Sequence, residues 1–161
     1  AMKSPEQIDA ILKQDITEDE IFGYMTRQNM DCYFDGDKLP GIRSEIAAIT
    51  EGIVFVYGVG AAYVQPSYDL LVYADMARWE IQMRFRRNEV SNVGISNREE
   101  RASLQYKRAF FVDWRICDRF KKKLMKKQKI LKKLLLMIQP KLKLLTKAKQ
   151  KEMSSNYEKI N

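Results

Sequence analysis

The residues that could do chemistry fall into three groups. Gly58-Val59-Gly60-Ala61-Ala62-Tyr63 carries two of the three glycines of a dinucleotide-binding turn, with Tyr63 in the third place. Backbone N–H groups at such a turn attract anions when a helix follows. The same glycines also suit a tight turn that needs positive φ. Asp75 ends a second apolar run, where it could hold a metal, accept a proton or cap the next helix. Arg78, Arg84, Arg86 and Arg87 follow it, with Arg84 and Arg87 three apart on one helical face. Guanidinium forks match phosphate, and they match neighbouring carboxylates such as Glu80 and Glu89 equally well.

What is missing narrows the chemistry further. The 161 residues include no histidine, so a Ser-His-Asp triad, a Cys-His dyad and a two-histidine metal site are excluded within the chain. There is no Gly-Lys-Ser/Thr sequence of a phosphate-binding P-loop. Asp113 and Asp118 lie five apart, roughly 140° around a helix, and do not share a face well. With Arg115 and Arg119 they read as surface charge pairing. No catalytic residue, metal ligand or cofactor is therefore assigned. The candidate ligand-binding set is Gly58, Gly60, Asp75, Arg78, Arg84 and Arg87.

The elements that must position this set can be read from punctuation and periodicity. Ser4-Pro5-Glu6-Gln7 is a helix start with a capping box, followed by Ile8, Ile11 and Leu12 on one face to about Lys13. Thr17-Glu18-Asp19-Glu20 reads as a second capping box, with Ile21, Phe22 and Met25 as the apolar face behind it. A helix is expected from Ile42 to Thr50. Ile53–Tyr57 and Leu70–Ala74 are β-rich apolar runs of the kind buried on both faces of a parallel sheet. A helix over Met76–Arg87 and a polar loop over Ser91–Glu99 come next. One long helix should then run from about Ser103 to Ile138, buried along Phe110, Trp114, Cys117 and Leu124, and ended by Pro140. Two buried strands followed by helices imply an α/β layer architecture.

Charge divides the chain. From Lys121 to Asn161 there are 14 Lys and 2 Glu, a net +12, against 15 basic and 19 acidic residues before it, a net −4. A basic end of this kind fits nucleic acid, an anionic surface or an acidic partner, or simply a solvated helix face. Lys121, Lys122, Lys126, Lys129, Lys132 and Lys133 oppose Leu124, Leu131, Leu135 and Ile138, and little Arg or aromatic content is present for base stacking. Self-association through residues 124–138 is expected ahead of nucleic-acid binding. The boundaries read as 3–120 for the body, 121–139 for the basic helix and 140–161 for a Lys-rich tail. Cys32 and Cys117 follow no ligand spacing and read as reduced thiols of a cytoplasmic protein. The longest uncharged stretch, Gly52–Tyr68, is 17 residues and contains Gly, Gln, Pro and Ser, which is wrong for a membrane span. Ala1 ahead of Met2 reads as the remainder of a cleaved tag.

Two resemblances follow from these segments. Ile53–Val59, Asp69–Asp75 and Arg78–Arg87 resemble the second half of small P-loop kinases, where an arginine-rich lid helix clamps nucleotide phosphates. More of the chain, about residues 4–125, is similar to an accessory region of long bacterial class I mannose-6-phosphate isomerase-type proteins. That similarity lies in Ile16–Tyr24, Val56–Ala62, Tyr73–Gln82, and Tyr106-Lys107-Arg108 followed by Phe111–Arg115. The resemblance implies a small, parallel-sheet, kinase-like half domain without a working P-loop. It further implies a non-catalytic accessory or regulatory role and a phosphorylated sugar or nucleotide as ligand. In that family a cupin domain carries the zinc and isomerase site, with histidines this chain lacks. The chain therefore reads as a fragment, a truncated relative or a reading-frame remnant. A basic-helix binding module and a homo-oligomeric assembly protein are the competing readings. Purified chain should show no mannose-6-phosphate isomerase turnover above a blank and no stoichiometric zinc by elemental analysis. One tightly bound zinc per chain would contradict this reading.

Overall fold

The computed structural model describes residues 1–127. Their elements are α1 (Pro5–Ile16), a 3-10 turn (Met30–Tyr33), α2 (Leu39–Ala47), α3 (Ala61–Val64), α4 (Arg78–Arg86), α5 (Ala102–Arg108), a π-turn (Ala109–Asp113) and α6 (Trp114–Lys127). The described residues contain no strand, and their one β-bridge joins Met2 to Phe34. This corrects the expected α/β fold: there is no parallel sheet and no kinase-like half domain here. A unit spans Ala1–Phe120, and a second begins at Lys121.

The first helix forms as its sequence dictates. The Ser4 side chain accepts from the Gln7 N–H at 3.3 Å, and the Gln7 side chain accepts from the Ser4 N–H at 3.0 Å. Pro5 sits where no donor is needed. Ile8 and Leu12 are fully buried from its inner face. They pack with Met30, Cys32, Tyr33, Phe34, Leu39, Val64, Val112 and Ile116. A second, smaller cluster joins Phe85, Ala109 and Trp114, with Ile81, Val90, Ala102 and Phe110 against it.

Two further expectations are corrected. The second capping box does not start a helix. Thr17 is instead the C-cap of α1 at φ 58°, and its hydroxyl donates to the Phe22 carbonyl at 2.7 Å. The Asp19 carboxylate accepts from the Ile21 and Phe22 N–H groups at 2.7 and 2.6 Å, which closes a turn. Asp and Thr side chains offer the backbone this alternative to a helix. Among the described residues, the apolar runs Ile53–Tyr57 and Leu70–Ala74 form neither helix nor strand. A buried strand needs neighbours on both sides, and here α1, the 3-10 turn and the 109–116 segment already fill the core. The expected long helix is helical without a break from Ala102 to Lys127, with the π-turn Ala109–Asp113 widening it between α5 and α6. Its expected continuation to Ile138, with the self-association surface 124–138, lies largely outside the described residues, and the tail wholly so.

Trp114 is 7% exposed, edge-on to Tyr106 at 5.4 Å and to Phe110 at 6.5 Å. The Arg78 guanidinium lies 4.5 Å above its ring. Trp114→Ala should cost about 3–5 kcal/mol and lower the melting temperature by many degrees. A shift of a degree or less in a thermal melt would show that the ring is not part of the core.

Candidate functional site

The expected ligand set is spread over the fold in distinct local roles. Gly58 and Gly60 have φ of 109° and 81° and lead into α3, which is only four residues long. A Cβ on Gly60 would meet the Phe34 ring at 2.6 Å, so Gly60 lets the chain pass over that aromatic. Asp75 is exposed and precedes α4, whose N-cap residue is Ala77. Arg78 donates to the Asp118 carboxylate at 2.5 Å. Arg84 donates to Glu80 at 2.9 Å, and Arg87 to Glu80 and Glu89 at 3.4 and 2.5 Å. Arg84 and Arg87 thus do meet on one face, around the Glu80 carboxylate. An anion bound by these three arginines would displace carboxylates already in place. Arg86 differs. Among the described residues it has no ion pair.

The buried polar centre of the fold lies elsewhere. Asp113 is 3% exposed and is not part of a surface charge pattern. Its carboxylate accepts from the Tyr33 hydroxyl at 2.6 Å, the Asn92 amide at 2.7 Å and the Val93 N–H at 3.3 Å. Burial pushes its pKa up, and the surrounding donors and Arg108 oppose that rise. Burial, together with the neighbouring Asp113 charge, drives the Tyr33 hydroxyl far above its usual range. The other residues expected to share that charge pattern are also used inwardly or with new partners. Arg119 donates to the Thr26 and Gln28 carbonyls, and Arg115 to the Phe110 carbonyl at 2.9 Å. The chain does carry a signal for this burial: Asp113 stands inside the apolar run Phe110-Phe111-Val112-Asp113-Trp114.

Asn92 extends the network by donating to the Gln105 carbonyl at 3.0 Å, while Gln105 donates to the carbonyls of Val90 and Asn97. The polar loop after α4 is thereby tied to α5. Lys107, 5% exposed, donates to the Thr17 carbonyl at 3.2 Å and to the Asp19 carbonyl. It anchors the 17–20 segment onto α5. Arg108 donates to Asp9 at 2.6 Å and so fixes α1 to the same helix.

Two clefts open beside this anchored segment. The first, about 410 Å³, is lined by Ile21, Phe85, Ala102, Tyr106 and Phe111, with Glu20, Gln82, Arg86, Ser103 and Lys107 supplying polar atoms. The second, about 360 Å³, is more polar and shares Glu20 and Lys107 with it; Arg101, Arg108, Glu18, Asp19 and Glu100 are also in its lining. Among the described residues, no three Cys, Asp or Glu side chains gather to hold a metal ion. The thiols of Cys32 and Cys117 are free, and burial pushes them up to about 11 and about 12. At neutral pH both are protonated and poor nucleophiles. No helix among the described residues is long and apolar enough to cross a membrane.

A family model described as a domain of unknown function, DUF8485, matches residues 1–153. The chain belongs to the DUF8485 family. Neither the curated proteins nor the solved structures contain a match to it. The match covers all the described residues, including the polar centre and both clefts.

Tyr33→Phe keeps the ring and removes the donor to a buried carboxylate. It should destabilise the fold by about 1.5–3 kcal/mol in urea unfolding, with little change in m-value. A loss below about 0.5 kcal/mol would mean that the Asp113 network does not hold these segments together.

Proposed function

We propose that this chain is a non-catalytic accessory domain that acts by association, with a second copy of itself as the partner. One observation carries the reading. Ile53, Phe55 and Tyr57 are 81%, 81% and 92% exposed, while Val54 and Val56 are 42% and 38% exposed. That is the period-two presentation of a strand, with a row of large apolar side chains facing water. Among the described residues, the backbone of 53–57 makes no backbone hydrogen bond. Exposed apolar surface with unused strand donors and acceptors is a template for strand addition. Leu70, Val72 and Trp79 add to the exposed apolar surface at 67%, 79% and 66%. Monomeric proteins seldom leave this much apolar surface open.

Charge favours a second copy over a different partner. A two-fold contact sets each segment against itself, so any charge in it meets its like. Gly52–Tyr68 contains no charged side chain, in a chain where 31% of residues are charged. Antiparallel pairing centred on Phe55 would bury Ile53, Phe55 and Tyr57 from both copies.

The accessory part of the reading is supported by the likeness to the accessory region of long mannose-6-phosphate isomerase-type proteins. That likeness lends the chain no catalytic residue, because the histidines of the isomerase site are missing from it. A contact through 124–138 is the competing assembly surface.

Sedimentation of the full chain at tens of micromolar tests the proposal. The wild type should run as a dimer and Phe55→Asp as a monomer, with unchanged circular dichroism. Phe55 is exposed, so its loss leaves the core intact. A monomeric wild type would overturn the proposal. So would a dimer that survives Phe55→Asp and dissociates with Leu135→Lys, which would place the contact in the basic segment.

A further inference from the structure

We infer that the 410 Å³ cleft between α4, α5 and the 17–21 segment binds a flat aromatic ring bearing one anionic group, with Arg86 as the anion's partner. The cleft's size and lining are those of a small-ligand site: an apolar floor with a few polar groups at its edge. Phe85, 3% exposed, belongs to the buried core, and Phe111 and Ile21 also line the cleft. Tyr106 forms an aromatic wall that is held in place on two sides. Its ring stacks on Phe110 at 5.9 Å and 21°, and meets Trp114 edge-on at 5.4 Å. A rigid aromatic wall gives a planar ring a face to stack on.

The charge of the ligand follows from which lining groups are already engaged. Glu20 accepts from Arg101 at 3.0 Å. The Lys107 ammonium donates to the carbonyls of Thr17 and Asp19, which fixes the cleft's outer wall. Of the four arginines on α4 and its C-cap, Arg78, Arg84 and Arg87 are held by carboxylates. Arg86 is the fourth. It lines the cleft without a carboxylate partner among the described residues, so its planar fork is available to a carboxylate or a phosphate. Gln82 and Ser103 supply neutral polar atoms beside it.

Isothermal titration of the full chain tests the assignment with four probes. Adenosine 5′-monophosphate and indole-3-acetate each combine ring and anion, one as a phosphate and one as a carboxylate. Adenosine has the ring alone, and ribose 5-phosphate the anion alone. At least one of the first two should bind with a dissociation constant below a millimolar, and both controls at least tenfold more weakly. The tighter of the two identifies the anion. Arg86→Ala should weaken binding tenfold or more. Ser103→Trp, at an exposed helical position beside the cleft, should abolish it by filling the space. Melting curves of both variants should match the wild type. Failure of both ring-bearing anions to bind at millimolar concentration would overturn the inference. So would binding that both variants leave unchanged, or ribose 5-phosphate binding as tightly as the nucleotide. Association through Phe55 is read independently, so either proposal can fail alone.

Discussion

A carboxylate removed from water is costly unless donors replace its hydration shell. Asp113 meets that demand with three donors from two distant stretches of chain: Tyr33 beside α1, and Asn92 and Val93 in the loop after α4. The arrangement works in one geometry only. The hydroxyl, the amide and the backbone N–H must all arrive at a single carboxylate at the end of the π-turn. The widened turn, Ala109–Asp113, includes Val112 and is followed by Ile116, and both belong to the apolar core with Ile8, Leu12 and Tyr33. Apolar packing supplies the bulk of the stabilisation, and the buried carboxylate sets which segments meet.

The cations of α5 distribute that order outward. Lys107 and Arg108 are buried side by side in sequence and point to different ends of α1: one to the carbonyls at its C-terminus, the other to Asp9 near its start. A buried ammonium on two carbonyls fixes an irregular segment that has no secondary structure of its own. That fixing creates the cleft wall. The same segment leaves Ile21, Phe22, Tyr24 and Met25 more than half exposed. The fold therefore combines an apolar core crossed by a few buried polar groups with a considerable apolar exterior, which fits a domain made for contact.

Parts of the site were legible in the chain and parts were not. The arginine group after Asp75 was visible as a cluster, and its alternative use in pairing with Glu80 and Glu89 was visible too. The chain could not show which arginine would be left over, because Arg86 differs from Arg84 and Arg87 only in the direction α4 gives it. The Gly58–Gly60 turn was legible as a place needing positive φ, and both glycines adopt it. That Gly60 must also clear the Phe34 ring depends on a residue 26 positions away and has no local signature. The buried Asp113 carried a signal in its apolar flanks, but charge spacing with Arg115 and Asp118 competed with it and pointed to the surface.

Local rules settled what local energies can settle. The capping box at Ser4 and Gln7 started α1, and the lack of histidine removed whole classes of catalysis from the chain, whereas α2 begins at Leu39, ahead of the expected Ile42, with Pro40 in its first turn. The fold class was beyond their reach. Ile53–Tyr57 and Leu70–Ala74 have the composition of buried strands, yet a strand exists only through its neighbours, and burial is decided by which segments win the core. Here α1, the Met30–Phe34 turn and the 109–116 segment win it, joined through a carboxylate that the tertiary structure alone surrounds with donors. The β-rich runs are left without helix or strand and largely exposed, because other segments fill the core.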